Sequence, residues 1–266
     1  MSETTSAGNL FKAGKLAEAL EAASAEVKRS PAELAPRLLL AELLLFAGNL
    51  ERADVILDAA AQIDPDAILV VSEFRQLLRA EMARRQFRRD GRIPEFLGAP
   101  TPALAEILGA HVALRAGDVE AAARHAAAAE ELRPRVPGHL GDTKFDDFRD
   151  ACDLHAGYFE VLTTTGKYFW IPTERVETAE FHAPKRPRDL YWRRATVSVK
   201  GGPDGEVYVP ALYGSDNLDQ EPALRLGRAT DWIEKDGLVQ GVGQRIFLAG
   251  DEAVGIQTLT ELEFAI

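Results

Sequence analysis

The chain has 266 residues, and its 42 acidic and 31 basic side chains give a net charge of -11. Such an acidic balance argues against binding nucleic acid or anionic membranes over the whole surface. The single cysteine, Cys152, excludes an intramolecular disulfide framework, and no apolar run nears the roughly 20 residues of a membrane span. Because the start also lacks a signal-peptide pattern, the sequence predicts a cytoplasmic globular protein.

The composition changes along the chain. The first 160 residues contain 33 of the 42 alanines, whereas all three tryptophans lie in the remaining 106 residues. Alanine favours helices and tryptophan suits strands, and the length fits two domains. The sequence therefore predicts an α+β protein with an α-helical domain over 1–162 and a β domain over 163–266.

A repeat marks the helical part. Gly14, Gly48 and Gly117 are 34 and 69 residues apart, close to one and two periods of the tetratricopeptide repeat. Glycine permits a tight turn between helices, a small alanine lets them approach, and proline ends the second helix. The pattern favours a tetratricopeptide-like α-solenoid over an alanine-rich bundle with a chance period. Alanine recurs five residues after each glycine and proline seventeen after it, as Ala19, Ala53, Ala122, Pro31, Pro65 and Pro134.

The third of four predicted units is degenerate. The second unit predicts helices over 36–46 and 50–63, but between residues 66 and 100 Met82 stands where glycine is expected. A closing helix is predicted over 145–162, because a repeat array needs a capping element at its end.

Turn signals divide the second half into short predicted strands. One strand is expected over 168–171, and two β-hairpins are expected over 195–210 and 230–242. Residues 244–248 and 254–266 add strands, and the polar stretch 213–222 is predicted to be a loop. The β domain is therefore expected to be a small, mostly antiparallel sheet or open barrel.

The sequence shows no motif for catalysis, a metal or a cofactor. The five histidines form no pair at metal-site spacing, and there is no nucleophile elbow or phosphate-binding loop. Cys152 lies in a stretch predicted to be helical and is interpreted as a small core residue. We therefore expect no catalytic residue, no metal and no cofactor.

Two basic clusters interrupt the acidic background. They are typical of solvated faces, but arginine also forks onto carboxylates, so a platform for an acidic partner segment or for the other domain is the alternative. The first cluster is Arg84, Arg85, Arg88, Arg89 and Arg92, and the second is Lys185, Arg186, Arg188, Arg193 and Arg194.

Aromatic and polar residues alternate in four segments of the second half. Such residues fill the core of a small β domain and are also enriched at interfaces. Arg228 and Asp231, beside Trp232, suit a structural ion pair or an exposed polar contact. An alternative function, a small-ligand binder or enzyme, would require Arg228, Asp231 and Arg245 to converge on one pocket.

These segments resemble the ImpE family, also called SciE or TagJ, of type VI secretion accessory proteins. The resemblance covers nearly the whole chain and implies a cytoplasmic, non-enzymatic adaptor. It also implies that some members bind the N-terminal helix of the sheath subunit TssB. Through this contact they would assist assembly of the sheath or its recycling by the ATPase ClpV. The motif residues are Asp189, Trp192, Arg193, Pro210, Tyr213, Gly227, Arg228, Asp231, Trp232, Gly241, Gly243, Gln244 and Arg245.

The concave face of a helical solenoid suits a peptide helix. We expect the first helices of the units to line that face and the arginine cluster to extend it. A tetratricopeptide co-chaperone outside secretion shares the same predicted fold. The expected partner-binding residues are Arg37, Leu38, Glu42, Arg75, Arg79, Arg84 and Arg88.

Overall fold

The computed structural model describes residues 6–64, 67–214 and 220–265. Most helices of this part lie in the first half of the chain, and two short ones lie among the later strands. They are α1 (Ala7–Lys12), α2 (Leu16–Arg29), α3 (Leu34–Phe46), α4 (Leu50–Ala61), α5 (Ile68–Asp90), α6 (Pro102–Arg115), α7 (Val119–Leu132), α8 (Pro187–Tyr191) and α9 (Pro222–Arg225).

The repeat glycines form the turns between paired helices, as predicted. Gly14, Gly48 and Gly117 have φ angles of 84°, 76° and 81°, a left-handed conformation that glycine adopts without steric strain. They follow α1, α3 and α6, and each is succeeded by the second helix of its pair. The alanines five residues later are fully buried, which lets the paired helices pack closely. Pro65, part of the same pattern, lies outside the described residues.

The degenerate unit is one long helix. α5 continues through Met82 for 23 residues and ends at Gly91, which has a φ of 78°. Without a glycine at position 82 no left-handed turn interrupts the backbone hydrogen bonds, so the helix extends to the next glycine. This extension carries α5 along the sheet.

The strands form one large sheet and two small ones. The large sheet has the order β1-β6-β5-β9-β8-β7-β14-β2-β3, and within it only β1 and β6 are parallel. β10 pairs with β11, and β12 lies between β13 and β4. The strands are β1 (Glu95–Phe96), β2 (Gly138–Leu140), β3 (Thr143–Phe145), β4 (Phe148–Asp150), β5 (Tyr158–Leu162), β6 (Tyr168–Pro172), β7 (Val176–Phe181), β8 (Trp192–Val199), β9 (Gly205–Pro210), β10 (Thr230–Lys235), β11 (Leu238–Gly243), β12 (Ile246–Ala249), β13 (Glu252–Gly255) and β14 (Glu261–Phe264).

Both predicted hairpins are present, as β8–β9 and β10–β11. In the described residues the large sheet ends at β1 and β3 and does not close, so the α+β prediction holds with a mostly antiparallel open sheet. Of the loop predicted over 213–222, residues 215–219 lie outside the described part of the chain, and α9 begins at Pro222.

The predicted closing helix over 145–162 is wrong. This segment contains the end of β3, then β4, a 3₁₀ turn over Asp153–His155 and β5. Every residue of β5 is buried, because helices cover one face and the second core covers the other. Such a strand lacks the alternation that identifies strands in sequence. Cys152 is buried as predicted, but it lies between β4 and the 3₁₀ turn.

Helices and strands share one hydrophobic core. It joins α1 to α6 with one face of the large sheet, and a second core covers the opposite face. Aromatic pairs cross the junction: Phe46 contacts Tyr191, Phe74 contacts Trp192, and Phe87 contacts Trp170. The boundary at 162 and 163 stays a prediction.

Candidate functional site

A buried ion network joins α5 to the sheet. Arg84 donates from Nε and Nη2 to the two oxygens of Glu160, at 2.9 and 2.8 Å. Arg245, between β11 and β12, donates to Asp150 at 2.9 Å and to Glu160 at 3.2 Å. Two cations therefore face two anions in the interior, where an unpaired charge would be strongly destabilising.

Glu160 is the centre of this network. Burial alone would raise the pKa of its carboxyl, but Arg84, His155 and Arg245 outweigh burial and hold the pKa well below its usual value. The Tyr168 hydroxyl donates to the same carboxylate at 2.5 Å. Glu160 was missed by sequence reasoning, although a lone charge inside the apolar run 158–162 was a usable signal.

Other polar contacts link α5 to the sheet. Glu73 accepts hydrogen bonds from Arg188 at 3.2 Å and from the Tyr208 hydroxyl at 2.8 Å. Glu81 accepts one from the Trp192 indole at 3.2 Å. The face of α5 toward the sheet is thus occupied by the chain itself.

Glu42 of α3 lies at the same junction and is buried. Burial raises the pKa of this carboxyl to about 7, although Arg188 and Arg186 act in the opposite direction. The raised pKa favours the protonated carboxyl in the folded state.

Three residues of the Asp189 segment fix local structure. Asp189 accepts the backbone N–H groups of Lys185 and Arg186 at the start of α8. Trp192 is fully buried against Phe74 and pairs with Pro210 across β8 and β9. Arg193 is buried and donates to three backbone carbonyls, those of Ile256, His182 and Leu259.

Tyr213 connects the hairpin β10–β11 to the buried network. Its hydroxyl donates to Asp150 at 2.7 Å. Gly241 of β11 lies against the Tyr213 ring. The half-exposed Trp232 of β10 packs against the same ring, with 5.9 Å between the ring centroids. These three motif residues therefore pack the hairpin β10–β11 against the buried network.

The remaining motif residues fasten neighbouring segments. Arg228 donates to the carbonyls of Phe11 and Lys12 at the end of α1. Gln244 donates to the carbonyl of Gly227, while Gly243 lies against the Ala229 backbone.

The convergence of Arg228, Asp231 and Arg245 on one pocket is not found. Arg228 contacts α1, and Arg245 is buried in the ion network. Asp231 is exposed, and its carboxylate accepts the backbone N–H of Trp232. The alternative function based on this trio has lost its geometric basis, and the ion pair suggested for Arg228 and Asp231 is not formed between these described residues.

A row of polar groups near the network involves the only cysteine. His155 Nδ1 lies 3.3 Å from Cys152 Sγ, and its Nε2 lies 3.5 Å from Glu160. Burial, together with Asp150, raises the pKa of the thiol to about 12, and burial holds the pKa of His155 well below its usual value. The thiol stays protonated and the imidazole neutral near pH 7, which does not generate a thiolate nucleophile.

The predicted partner-binding residues fall into three places. Glu42 and Arg84 are buried at the junction, where the chain's own second half covers them. Arg37 donates to the carbonyl of Pro31, and Leu38 packs against the core. Arg75, Arg79 and Arg88 lie on α5, the first two on its solvent side and Arg88 in a cleft.

The two basic clusters also contain both buried and exposed residues. Arg84, Arg188 and Arg193 are buried, so a solvated face is the wrong interpretation for them. Arg188, which donates to Glu73, and Arg84, which donates to the Leu212 carbonyl, agree with the alternative that the clusters face the other domain. Arg193 contacts only carbonyls of its own half.

An exposed ridge remains on the solvent side of α4 and α5. Arg75 binds Asp54 and Asp58 of α4, each at 2.7 Å. On α5, Ile68 lies seven residues before Arg75 and Arg79 lies four residues after it, which places all three on one face, and Ile68 is 55% exposed. We call Asp54, Asp58, Ile68, Arg75 and Arg79 the outer ridge.

No helix in the described ranges is long and apolar enough to cross a membrane. Over these same residues, no group of three or more His, Cys, Asp and Glu side chains could hold a metal ion.

Comparison with known proteins relates both halves to described families. Residues 142–263 match the family described as ImpE protein, and residues 10–78 match a tetratricopeptide repeat family. A protein of Pseudomonas aeruginosa described as type VI secretion system accessory component TagJ is 31% identical over 97% of this chain and 90% of its own.

The crystal structure of a protein from Vibrio parahaemolyticus has the same overall fold. It superposes with a TM-score of 0.90 at 29% identity, covering 98% of this chain and 97% of that one.

Proposed function

Because the chain belongs to the ImpE family of type VI secretion accessory proteins, we propose that it is a non-enzymatic cytoplasmic adaptor that binds the N-terminal helix of the sheath subunit TssB. In this role it would assist sheath assembly or recycling by the ATPase ClpV. The secretion-system accessory role is common to the family, and the partner and the docking surface are the proposal.

The outer ridge carries this proposal. The sheet covers the opposite side of α5 through Glu73, Glu81 and Arg84, so a partner helix must approach a different surface. The outer ridge offers the exposed apolar residue Ile68 on the same face of α5 as the exposed Arg79, about three helical turns further along. An amphipathic helix lying along this face, with an apolar residue opposite Ile68 and an acidic residue about three turns away opposite Arg79, would complement both.

The docking residues proposed are therefore Ile68, Arg75 and Arg79 on α5, with Arg37 and Leu38 at the first turns of α3. Glu42 and Arg84 are left out, since both are buried. Neither nucleic acid nor a membrane is proposed as a partner.

Fluorescence anisotropy with a labelled peptide of the TssB N-terminal helix tests the proposal. We expect saturable binding to the full chain, weakened about tenfold by Ile68→Asp because a charge would enter the apolar contact. Val112→Asp is the matched control, since Val112 is a 58% exposed apolar residue on α6, outside the outer ridge.

Two results would contradict the proposal in different ways. If binding does not saturate up to about 100 μM peptide, the binding free energy is weaker than about -5 kcal/mol, and TssB would be rejected as the partner. Equal weakening by Ile68→Asp and Val112→Asp would reject the outer ridge and retain the partner.

A further inference from the structure

A cleft between α5 and the strands is lined by one face of the first arginine cluster. Its volume is about 180 Å³, and Arg84, Arg85, Arg88 and Arg89 all line it. These residues lie at positions i, i+1, i+4 and i+5 of one helix, which places them on the same side. Glu81 is the one acidic residue among the described residues lining the cleft.

The acidic groups near the cleft already have partners. Glu81 lies 3.6 Å from both Arg84 and Arg85 and accepts the Trp192 indole hydrogen bond. Glu160 is engaged by Arg84 and Arg245. Arg85 also donates to the Gly48 carbonyl at 2.8 Å.

Arg88 differs from these arginines because no carboxylate of the described residues lies within ion-pair distance of it, although Glu81 and Glu160 attract it from further away. Its Nη1 atom is buried and has no hydrogen-bond partner within the described part of the chain. Burial, followed by the neighbouring charge of Arg84, lowers the pKa of Arg88. A buried guanidinium without an anion is unfavourable, so an added anion would be favourable there.

The backbone is shaped around this side chain. A Cβ atom at Gly214 would clash with the Arg88 guanidinium, so glycine permits the close approach of the two. The Arg88 side chain therefore lies directly against Gly214.

We propose that this cleft binds a small oxyanion, a phosphate or a carboxylate group, which accepts hydrogen bonds from Arg88 and is flanked by Arg85 and Arg89. A guanidinium matches the geometry of both groups. Pockets for drug-sized ligands enclose roughly 300–1,000 Å³, so this smaller cleft fits one anionic group and not a nucleotide.

Thermal unfolding of the full chain in inorganic phosphate, against potassium chloride of equal ionic strength, tests the proposal. We expect phosphate to raise the wild-type Tm saturably by about 3 °C or more. Arg88→Gln should abolish the saturable part, and Arg79→Gln, an exposed arginine on the same helix, should retain it.

The unliganded variant supplies a second readout. Arg88→Gln removes a buried charge that forms no ion pair with the described residues, so its Tm in phosphate-free buffer should equal or exceed that of the wild type. A lowered Tm together with an unchanged phosphate response would overturn the proposal. An equal, unsaturable rise in all three proteins would also overturn it, since excluded salts stabilise any protein.

The source of the oxyanion is distinguished by a second titration. Glutarate presents the carboxylate of a glutamate side chain, whereas phosphate represents a free inorganic anion or a phosphorylated metabolite. The ligand that saturates at the lower concentration in an Arg88-dependent way identifies the source. If neither ligand saturates below about 10 mM, which corresponds to a binding free energy of about -3 kcal/mol, the site would be rejected.

Discussion

Two surfaces of the helical half carry similar charged residues and serve different purposes. The inner surface, formed by Glu42, Glu81 and Arg84, is buried against α8 and the sheet of the same chain. The outer ridge carries Arg75 and Arg79 in contact with solvent. The comparison teaches that the face of a solenoid expected to hold a partner can be filled by the chain's own second half.

The largest effect is expected from opening the inner surface. Arg84→Ala should lower the free energy of unfolding by about 3–5 kcal/mol, because it leaves Glu160 buried beside one arginine in place of two. Urea denaturation measures the change. Arg79→Ala, the same substitution on the exposed side of the helix, should change stability by less than about 0.5 kcal/mol. Similar losses for both variants would contradict the division between the two surfaces.

A pH-dependent effect is expected from Glu42. Its pKa is raised from 4.5 to about 7 in the folded state, so the folded chain binds the extra proton between these pH values. The contribution of this group to stability is therefore full below pH 4.5 and is lost as the pH rises through about 7. Glu42→Gln should raise stability at pH 8 by up to about 3 kcal/mol and leave it unchanged near pH 4.

Urea denaturation of both proteins across this pH range checks the prediction. The Glu160 carboxyl, whose pKa is lowered, has the opposite dependence and loses its contribution in acid. The difference in unfolding free energy between wild type and Glu42→Gln isolates the contribution of the Glu42 carboxyl. If this difference does not vary with pH, the raised pKa of Glu42 is contradicted.

A smaller loss is expected from a single hydrogen bond on the inner surface. Trp192→Phe removes the indole N–H that Glu81 accepts at 3.2 Å and should lower stability by about 1–2 kcal/mol. A double-mutant cycle with Glu81→Gln measures the coupling between the two side chains. Independent, additive losses would show that the indole contributes through packing alone.

The sequence supports predictions where the cause is local. Gly14, Gly48 and Gly117 identify the helix turns because each position needs a left-handed backbone, and the hairpin turns follow from their glycines in the same way. β5 was missed because burial on both faces removes its alternation.

The junction could not be predicted, because its pairs are distant in sequence. Arg84 and Glu160 are 76 residues apart, and Arg245 is 85 residues from Glu160. The sequence around each arginine is equally compatible with a side chain that faces solvent. The family motifs are recognisable in the sequence. Only the fold shows that Tyr213 packs the hairpin β10–β11 against the network and that Arg228 binds the end of α1.

The smallest effect on stability is expected on the outer ridge. Arg75 binds Asp54 and Asp58, but all three side chains are in contact with solvent, at 27%, 41% and 56% exposure. Exposed ion pairs contribute about 0–1 kcal/mol, so Arg75→Gln should change urea-measured stability by no more than that and less at high salt. Arg75 and Arg84 share a helix and a charge, and both pair with carboxylates. A loss for Arg75→Gln as large as that for Arg84→Ala would mean that burial does not separate the two surfaces, and the outer ridge would then be part of the fold and unsuited to a partner.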